Sequence, residues 1–139
     1  MTPRQKSLVR RSLVQLRAEP DVMTARFYER LFALNPGTRR LFGKKDMNLQ
    51  GTAFLQMLSM FVRGLDADDP AITEAIRASG RRHVGYGVVF SDYDTVGEAL
   101  VWTVEDLLGP GATSEIRDAW AEAYRYLAAT MRQASSNVL

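Results

Sequence analysis

The sequence contains no cysteine. That excludes disulfide scaffolds, thiolate zinc sites, iron–sulfur clusters and cysteine nucleophiles, and it fits a reducing compartment. Histidine occurs once, so no site needing two imidazoles can be built within one chain, which removes most zinc and non-haem iron arrangements. No apolar run approaches the roughly 18 residues of a membrane span. The N-terminal MTPRQKSLVRRSLVQLR has no continuous apolar region, so no signal peptide is expected. Phosphate-cradling loops of the GxxxxGK[ST] and GxGxxG types are missing, as are GxSxG and HExxH. A large charge imbalance is missing too. Eighteen Lys and Arg against 16 Asp and Glu leave a formal charge of +2, and although the isoelectric point is near 9.1, this is a weak field for a chain of 139 residues.

What is there is ordinary for a soluble globular protein: 46% hydrophobic and 24% charged residues. The length suits one domain over 1–139, placed in the cytoplasm, with enough chain to bury a core. Helix-start signals are dense. Proline favours the first helical position behind a capping side chain, and Thr2-Pro3, Asn35-Pro36 and Asp69-Pro70 all fit. Pro20-Asp21 opens a further segment, with Asp21 as the expected cap. Ser91 with Asp94 resembles a capping box, and Thr113-Ser114-Glu115 follows the breaker Gly109-Pro110-Gly111.

Between these signals the apolar period is helical. The stripes run Val9, Leu13, Leu16; Phe27, Leu31, Leu34; Phe54, Met57, Leu58, Phe61; Ile72, Ile76, Ser79, His83; Tyr93, Val96, Leu100, Val104, Leu107; and Ile116, Trp120, Tyr124, Leu127, Met131. The spacing predicts helices over about 3–18, 21–34, 46–64, 70–84, 92–108 and 114–133, with a short turn at 36–41. No alternating run suggests a strand. The expectation is an all-α domain of six to seven helices, with too many unequal segments for a plain four-helix bundle.

Four residues, and the basic pairs, can carry chemistry. His83 ends the inward stripe of its helix, just before Gly85 and Gly87. Spacing alone favours a helix-terminal histidine bonded to a nearby carbonyl. The alternative is an axial ligand to haem iron, which needs a neutral imidazole with its other nitrogen on a carbonyl, for which that of Ser79 is in reach. Gln50 heads the stripe of Phe54 and Phe61, where an amide can donate into a pocket or rest half in water. Tyr28, if buried, needs a hydroxyl partner, either a backbone carbonyl or a ligand. Phe42 sits between two helices and either plugs a core or stacks on a flat cofactor. The basic pairs Arg10-Arg11, Arg39-Arg40, Lys44-Lys45 and Arg81-Arg82 are dispersed among acids, which suits a solvated surface and not nucleic acid. Arg81 and Arg82, beside His83, could also meet the carboxylates of an anionic cofactor.

Together these residues resemble a globin, specifically a single-domain bacterial globin related to the haem domain of flavohaemoglobins. The resemblance covers about residues 5–133 and rests on FYERLFALNP (27–36) with Phe42, GRRHVGYGV (80–88), YDTVGEALVWTVEDLLG (93–109) and DAWAEAYRYLA (118–128), in that order. It implies a globin-like fold around haem b. His83 matches the proximal iron ligand, Phe42 the phenylalanine on the haem face and Tyr28 the distal tyrosine. Gln50 matches the distal polar residue, with Thr52 as the alternative in a shifted register. Phe54 matches the apolar residue above the iron, Tyr93 a proximal-side tyrosine, and Arg82 is a further candidate for holding the cofactor.

Two departures from the family pattern bear on chemistry. The stretch Gln133 to Asn137 lacks the acid that in flavohaemoglobins joins the proximal histidine and tyrosine, which favours reversible binding over oxygen activation. The sequence ends at Leu139, so redox turnover is expected to need a separate reductase. With one histidine, a bis-histidine state is excluded. The resemblance thus implies a protein that binds dioxygen and other diatomic gases, as carrier or scavenger, or a nitric oxide dioxygenase served by a reductase. A haem-free helical interaction module is the contrasting class, and a DNA-binding domain a distant fourth.

Overall fold

The computed structural model describes residues 1–65 and 69–136. Among the described residues there are six α-helices, α1 (Pro3–Leu16), α2 (Pro20–Leu34), α3 (Met47–Arg63), α4 (Pro70–Gly85), α5 (Phe90–Leu108) and α6 (Ser114–Ser136), with 3-10 turns at Pro36–Leu41 and Gly109–Gly111. Among the described residues there is no strand. No helix of these is long and apolar enough to cross a membrane.

Most helix starts are where the capping signals put them. Thr2 Oγ1 accepts from the Gln5 N–H at 3.1 Å while Gln5 returns a bond to Thr2 N–H at 2.9 Å. Asn35 accepts from Gly37 N–H at 3.0 Å, Asp69 from Ala71 N–H at 2.9 Å and Thr113 from Ile116 N–H at 3.2 Å. Asp46 caps α3 through Asn48 and Leu49.

Two caps differ from expectation. α2 begins at Pro20, so Asp21 sits in the first turn and acts on the helix dipole instead of capping. α5 begins at Phe90, and the side chain that takes the free Val89 N–H is Asp92, at 2.9 Å, not the Ser91–Asp94 pair. The reason is tertiary. Arg40, on the 3-10 turn, pairs with buried Asp92 at 3.1 Å and sets that register, while exposed Asp94 pairs with Arg132 at 2.7 Å.

The predicted stripes meet in one core. Val9, Leu13 and Leu16 of α1 join Phe27 and Leu31 of α2, Leu58 and Phe61 of α3, Ile76 of α4, Leu100 and Val104 of α5, and Trp120, Leu127 and Met131 of α6. Trp120 is 1% exposed, and its indole N–H donates to Ser12 Oγ at 2.8 Å. Ser12→Ala would strand that donor in a dry interior, at a cost of about 1–3 kcal/mol. A urea midpoint that drops at constant slope would show it.

Packing is tightest where α4 crosses α6. A Cβ on Gly80 would stand 2.5 Å from Met131 O and 2.8 Å from Met131 Cα. Ser135, on the same face of α6, donates to Gly80 O at 2.9 Å and Met131 O at 2.8 Å. That bond also explains why α6 outruns the predicted end near 133: its last turn is pinned to α4. The connection from α4 to α5 turns through Gly87 at φ +87°, a conformation that favours glycine.

Candidate functional site

Two sets of side chains define the site. The first is on α4. His83 is half-buried, and its Nδ1 lies 2.5 Å from the Ser79 carbonyl oxygen, one turn back. A carbonyl only accepts, so Nδ1 carries the proton and Nε2 keeps its lone pair. Burial lowers the imidazole pKa, and the charges of Arg82 and Lys45 act in the same direction against the Ser79 carbonyl. The result is a neutral imidazole with a free, oriented Nε2. The backbone fixes it further, because His83 O accepts from Tyr86 N–H and Val88 N–H, each at 3.1 Å.

The second set is aromatic and comes from three elements. α2 brings Phe27 and Tyr28, the residue after the 3-10 turn is Phe42, and α3 brings Gln50 and Phe54. Phe27 stacks on Phe54 with centroids 4.4 Å apart, and Tyr28 meets Phe42 edge to face at 5.4 Å. Tyr28 also lies 6.3 Å from Phe54. Burial pushes its pKa up to about 12, while the nearby Gln50 side chain acts in the other direction. Tyr28 is therefore a protonated donor throughout the physiological range. Thr52 does not share this place, since it is exposed and its hydroxyl donates to Asn48 O at 3.1 Å.

Lys45 links the two sets. Its Nζ lies 4.3 Å over the Tyr86 ring, whose centroid is 5.6 Å from that of His83. The residues just after Phe42 thus reach the corner that follows His83. The dibasic pattern gave no hint of this, because a lysine pair reads as solvated surface. The arginines flanking His83 divide: Arg81 pairs with Glu74 at 2.5 Å, while Arg82 is exposed and makes no ion pair among the described residues.

Tyr93 joins a different group. It is 6% exposed, beneath the Arg132 guanidinium at 5.2 Å and beside Ser135. Burial raises its pKa, while Ser135 and Arg132 act the other way. The Ser135 proton is already committed to the Gly80 and Met131 carbonyls, and the Tyr93 hydroxyl finds no partner of good hydrogen-bond geometry. Ser135 was missed in the sequence; the signal was a polar residue continuing the apolar stripe of Leu127, Ala128 and Met131.

This donor set fits one kind of prosthetic group. Among the described residues no three His, Asp or Glu side chains converge to hold a bare metal ion. A single imidazole with its second nitrogen on a carbonyl suits iron that arrives with a porphyrin's own four nitrogens. The aromatic set supplies the flat, apolar walls such a ring needs.

Fold and site define an all-helical domain with one histidine oriented by the Ser79 carbonyl and an aromatic cluster joined to its corner through Lys45 and Tyr86. The globin family model matches residues 25–131, and the chain belongs to that family. The family implies a haem cofactor, which the residues present accommodate. Among relatives, the flavohemoprotein of Bordetella pertussis is 30% identical over 130 residues, covering 92% of this chain and 32% of its own length. The flavohemoprotein of Chromobacterium violaceum is 29% identical, with 94% and 33% covered. The chain thus spans about a third of the length of these curated relatives. A solved structure of an engineered carbene transferase, a candidate nitric oxide dioxygenase from Rhodothermus marinus, superimposes with a TM-score of 0.87 at 30% identity, covering 99% of this chain and 95% of that one. A bacterial globin from Campylobacter jejuni shares the fold with a TM-score of 0.84 at 20% identity, covering 99% and 98%.

Proposed function

We propose that this protein is a b-type haem globin, a single domain over 1–139 in the cytoplasm, that binds dioxygen reversibly and releases it slowly. The observation that carries the reading is His83, whose Nδ1 is held on the Ser79 carbonyl, together with buried Tyr28 set among Phe27, Phe42 and Phe54 and near Gln50. Haem, when bound, supplies an iron coordination position for a diatomic gas. His83 Nε2 would hold the iron, and the Ser79 carbonyl fixes the tautomer and orientation of the ring. Phe42 and Phe54 bound the cofactor and the gas pocket. Arg82, free of ion pairs among the described residues, is available to a carboxylate of the cofactor. Tyr93 supports the proximal side.

The Tyr28 O–H and the Gln50 N–H would donate to a diatomic gas that gains partial negative charge there. Their bonds are stronger there than in water because the surrounding rings exclude solvent. Each contributes about 1–2 kcal/mol, or roughly tenfold in dissociation rate. Tyr28→Phe should therefore speed oxygen dissociation about tenfold in stopped flow. An unchanged rate would sink the reading. With Tyr28 titrating only near 12, the wild-type rate should show no tyrosine-linked change between neutral and mildly alkaline pH.

A second reading is nitric oxide dioxygenation, in which nitric oxide, dioxygen and one electron combine to give nitrate. It is supported by the Rhodothermus marinus relative, a candidate nitric oxide dioxygenase, and by the flavohemoprotein relatives. The electron would come from a separate reductase. Repeated consumption of nitric oxide with a flavin reductase and nicotinamide would establish the enzyme, whereas one stoichiometric oxidation would establish the carrier.

A further inference from the structure

Asp92 is a carboxylate taken into the interior: it is 3% exposed, in the first turn of α5. A charge placed there needs partners. It has two. Its Oδ2 accepts from the Val89 N–H at 2.9 Å and from Arg40 Nη2 at 3.1 Å. Arg40 belongs to the 3-10 turn Pro36–Leu41, and its Nη1 donates to Gly37 O at 2.7 Å. The guanidinium is thus fixed twice, by one nitrogen on its own turn and by the other on α5. Capping α5 needs only the Val89 bond, which an uncharged acceptor would also make. The cap therefore explains neither the buried charge nor a partner fifty-two residues away.

What the pair joins are the two halves of the site. On one side, the turn leads into Phe42, whose N–H donates to Arg39 O at 3.1 Å and whose ring meets Tyr28 edge to face. On the other, Val88, the neighbour of Val89, donates its N–H to His83 O at 3.1 Å. A chain of hydrogen bonds and single residues thus runs from the His83 carbonyl through Val88, Val89, Asp92 and Arg40 to the turn that places Phe42. Lys45 over the Tyr86 ring crosses between the same two segments. Both of those side chains are exposed, so that contact alone is weak. The Asp92 bridge carries the buried charge and the fixed geometry. His83 and Phe42 flank the place of the proposed cofactor, and this bridge sets how far apart their segments stand.

We propose that Asp92 is a positioning residue for the cofactor: through Arg40 it clasps the Phe42 turn to the His83 corner, and a flat ring enters or leaves only when the clasp opens. This role rests on the haem reading, whereas the clasp itself is testable without haem. Asp92→Asn keeps an acceptor for the Val89 N–H and loses the charge that holds Arg40. In the full-length apoprotein, amide hydrogen exchange over 36–42 and 86–92 should rise about tenfold in this variant and in Arg40→Gln. Helix content by circular dichroism should stay unchanged. Arg40 is exposed, so its variant keeps the test open even where Asp92→Asn fails to fold. Hemin mixed with either apoprotein should bind faster and leave faster, each about tenfold, so that affinity changes little. A merely structural loss would speed departure alone. The double variant should match either single one, because both break the same bond. Arg40→Lys, which keeps a cation facing Asp92, should recover part of the wild-type behaviour. Unaltered exchange in both segments overturns the clasp whether or not hemin binds, and so does faster departure without faster entry. A wild type that takes up no hemin sinks the haem reading, and the positioning role with it.

Discussion

His83→Ala should abolish haem retention while leaving the helices intact. His83 makes no core contact that α4 depends on: it is half-buried at the end of the helix, and the buried anchors of α4 are Ile76, Ser79 and Gly80. Alanine is the best helix former, so the last turn should not fray. Removing partners that merely orient a metal ligand lowers affinity about 10–100-fold. Removing the ligand itself should exceed that, so haem loss to an acceptor protein should accelerate by more than about 100-fold, or about 2.7 kcal/mol. The comparison to make is the Soret absorbance of reconstituted wild type and variant, with far-ultraviolet circular dichroism alongside. Added imidazole should fill the space left by the ring and recover part of the absorbance. A variant that keeps haem as tightly as wild type would show that His83 is not the ligand, and the helix-terminal histidine would be its whole role.

The second large effect is expected at Gly80, through stability. Alanine there pushes a methyl group against the backbone of Met131, which no rotamer change can relieve. α4 must move off α6, and the Ser135 bond to Gly80 O must stretch with it. Overpacking of this kind costs about 1–3 kcal/mol. With backbone as the obstacle the upper end applies, equivalent to a fall in Tm of about 8–12 °C. The control is on the same helix. Gly85 has open space around its Cβ position and no positive φ, so Gly85→Ala should hold or raise stability by up to about 1 kcal/mol. Thermal unfolding of both variants checks the contrast, and equal effects would refute it. Because α4 carries His83, Gly80→Ala should also weaken haem uptake while Gly85→Ala should not.

The helices were legible because their signals are local. A capping side chain before proline, and apolar residues at helical spacing, act within a few residues of one another. Thr2, Asn35, Asp69 and Thr113 all cap where their sequences place them. Two of the exceptions are places where a distant partner intervened. Arg40, fifty-two residues away, holds Asp92 and so moves the start of α5. Gly80, fifty-five residues away, holds Ser135 and so extends α6.

The same division runs through the site. The lone histidine, its inward spacing, the Ser79 carbonyl one turn back, and the tyrosine, glutamine and phenylalanines of the cleft are all properties of residue type and local geometry, and the sequence by itself determined them. What only the tertiary structure decided is which side chains meet. It turned the Thr52 hydroxyl onto Asn48 O and left Gln50 as the polar side chain near Tyr28, set Lys45 over Tyr86 beside His83, and left Tyr93 next to a serine whose proton is already committed. The physical reason is range: periodicity and capping are settled within one or two turns of chain, whereas hydrogen-bond partners, burial and pKa shifts depend on which helices pack together, and that is fixed by the fit of their surfaces.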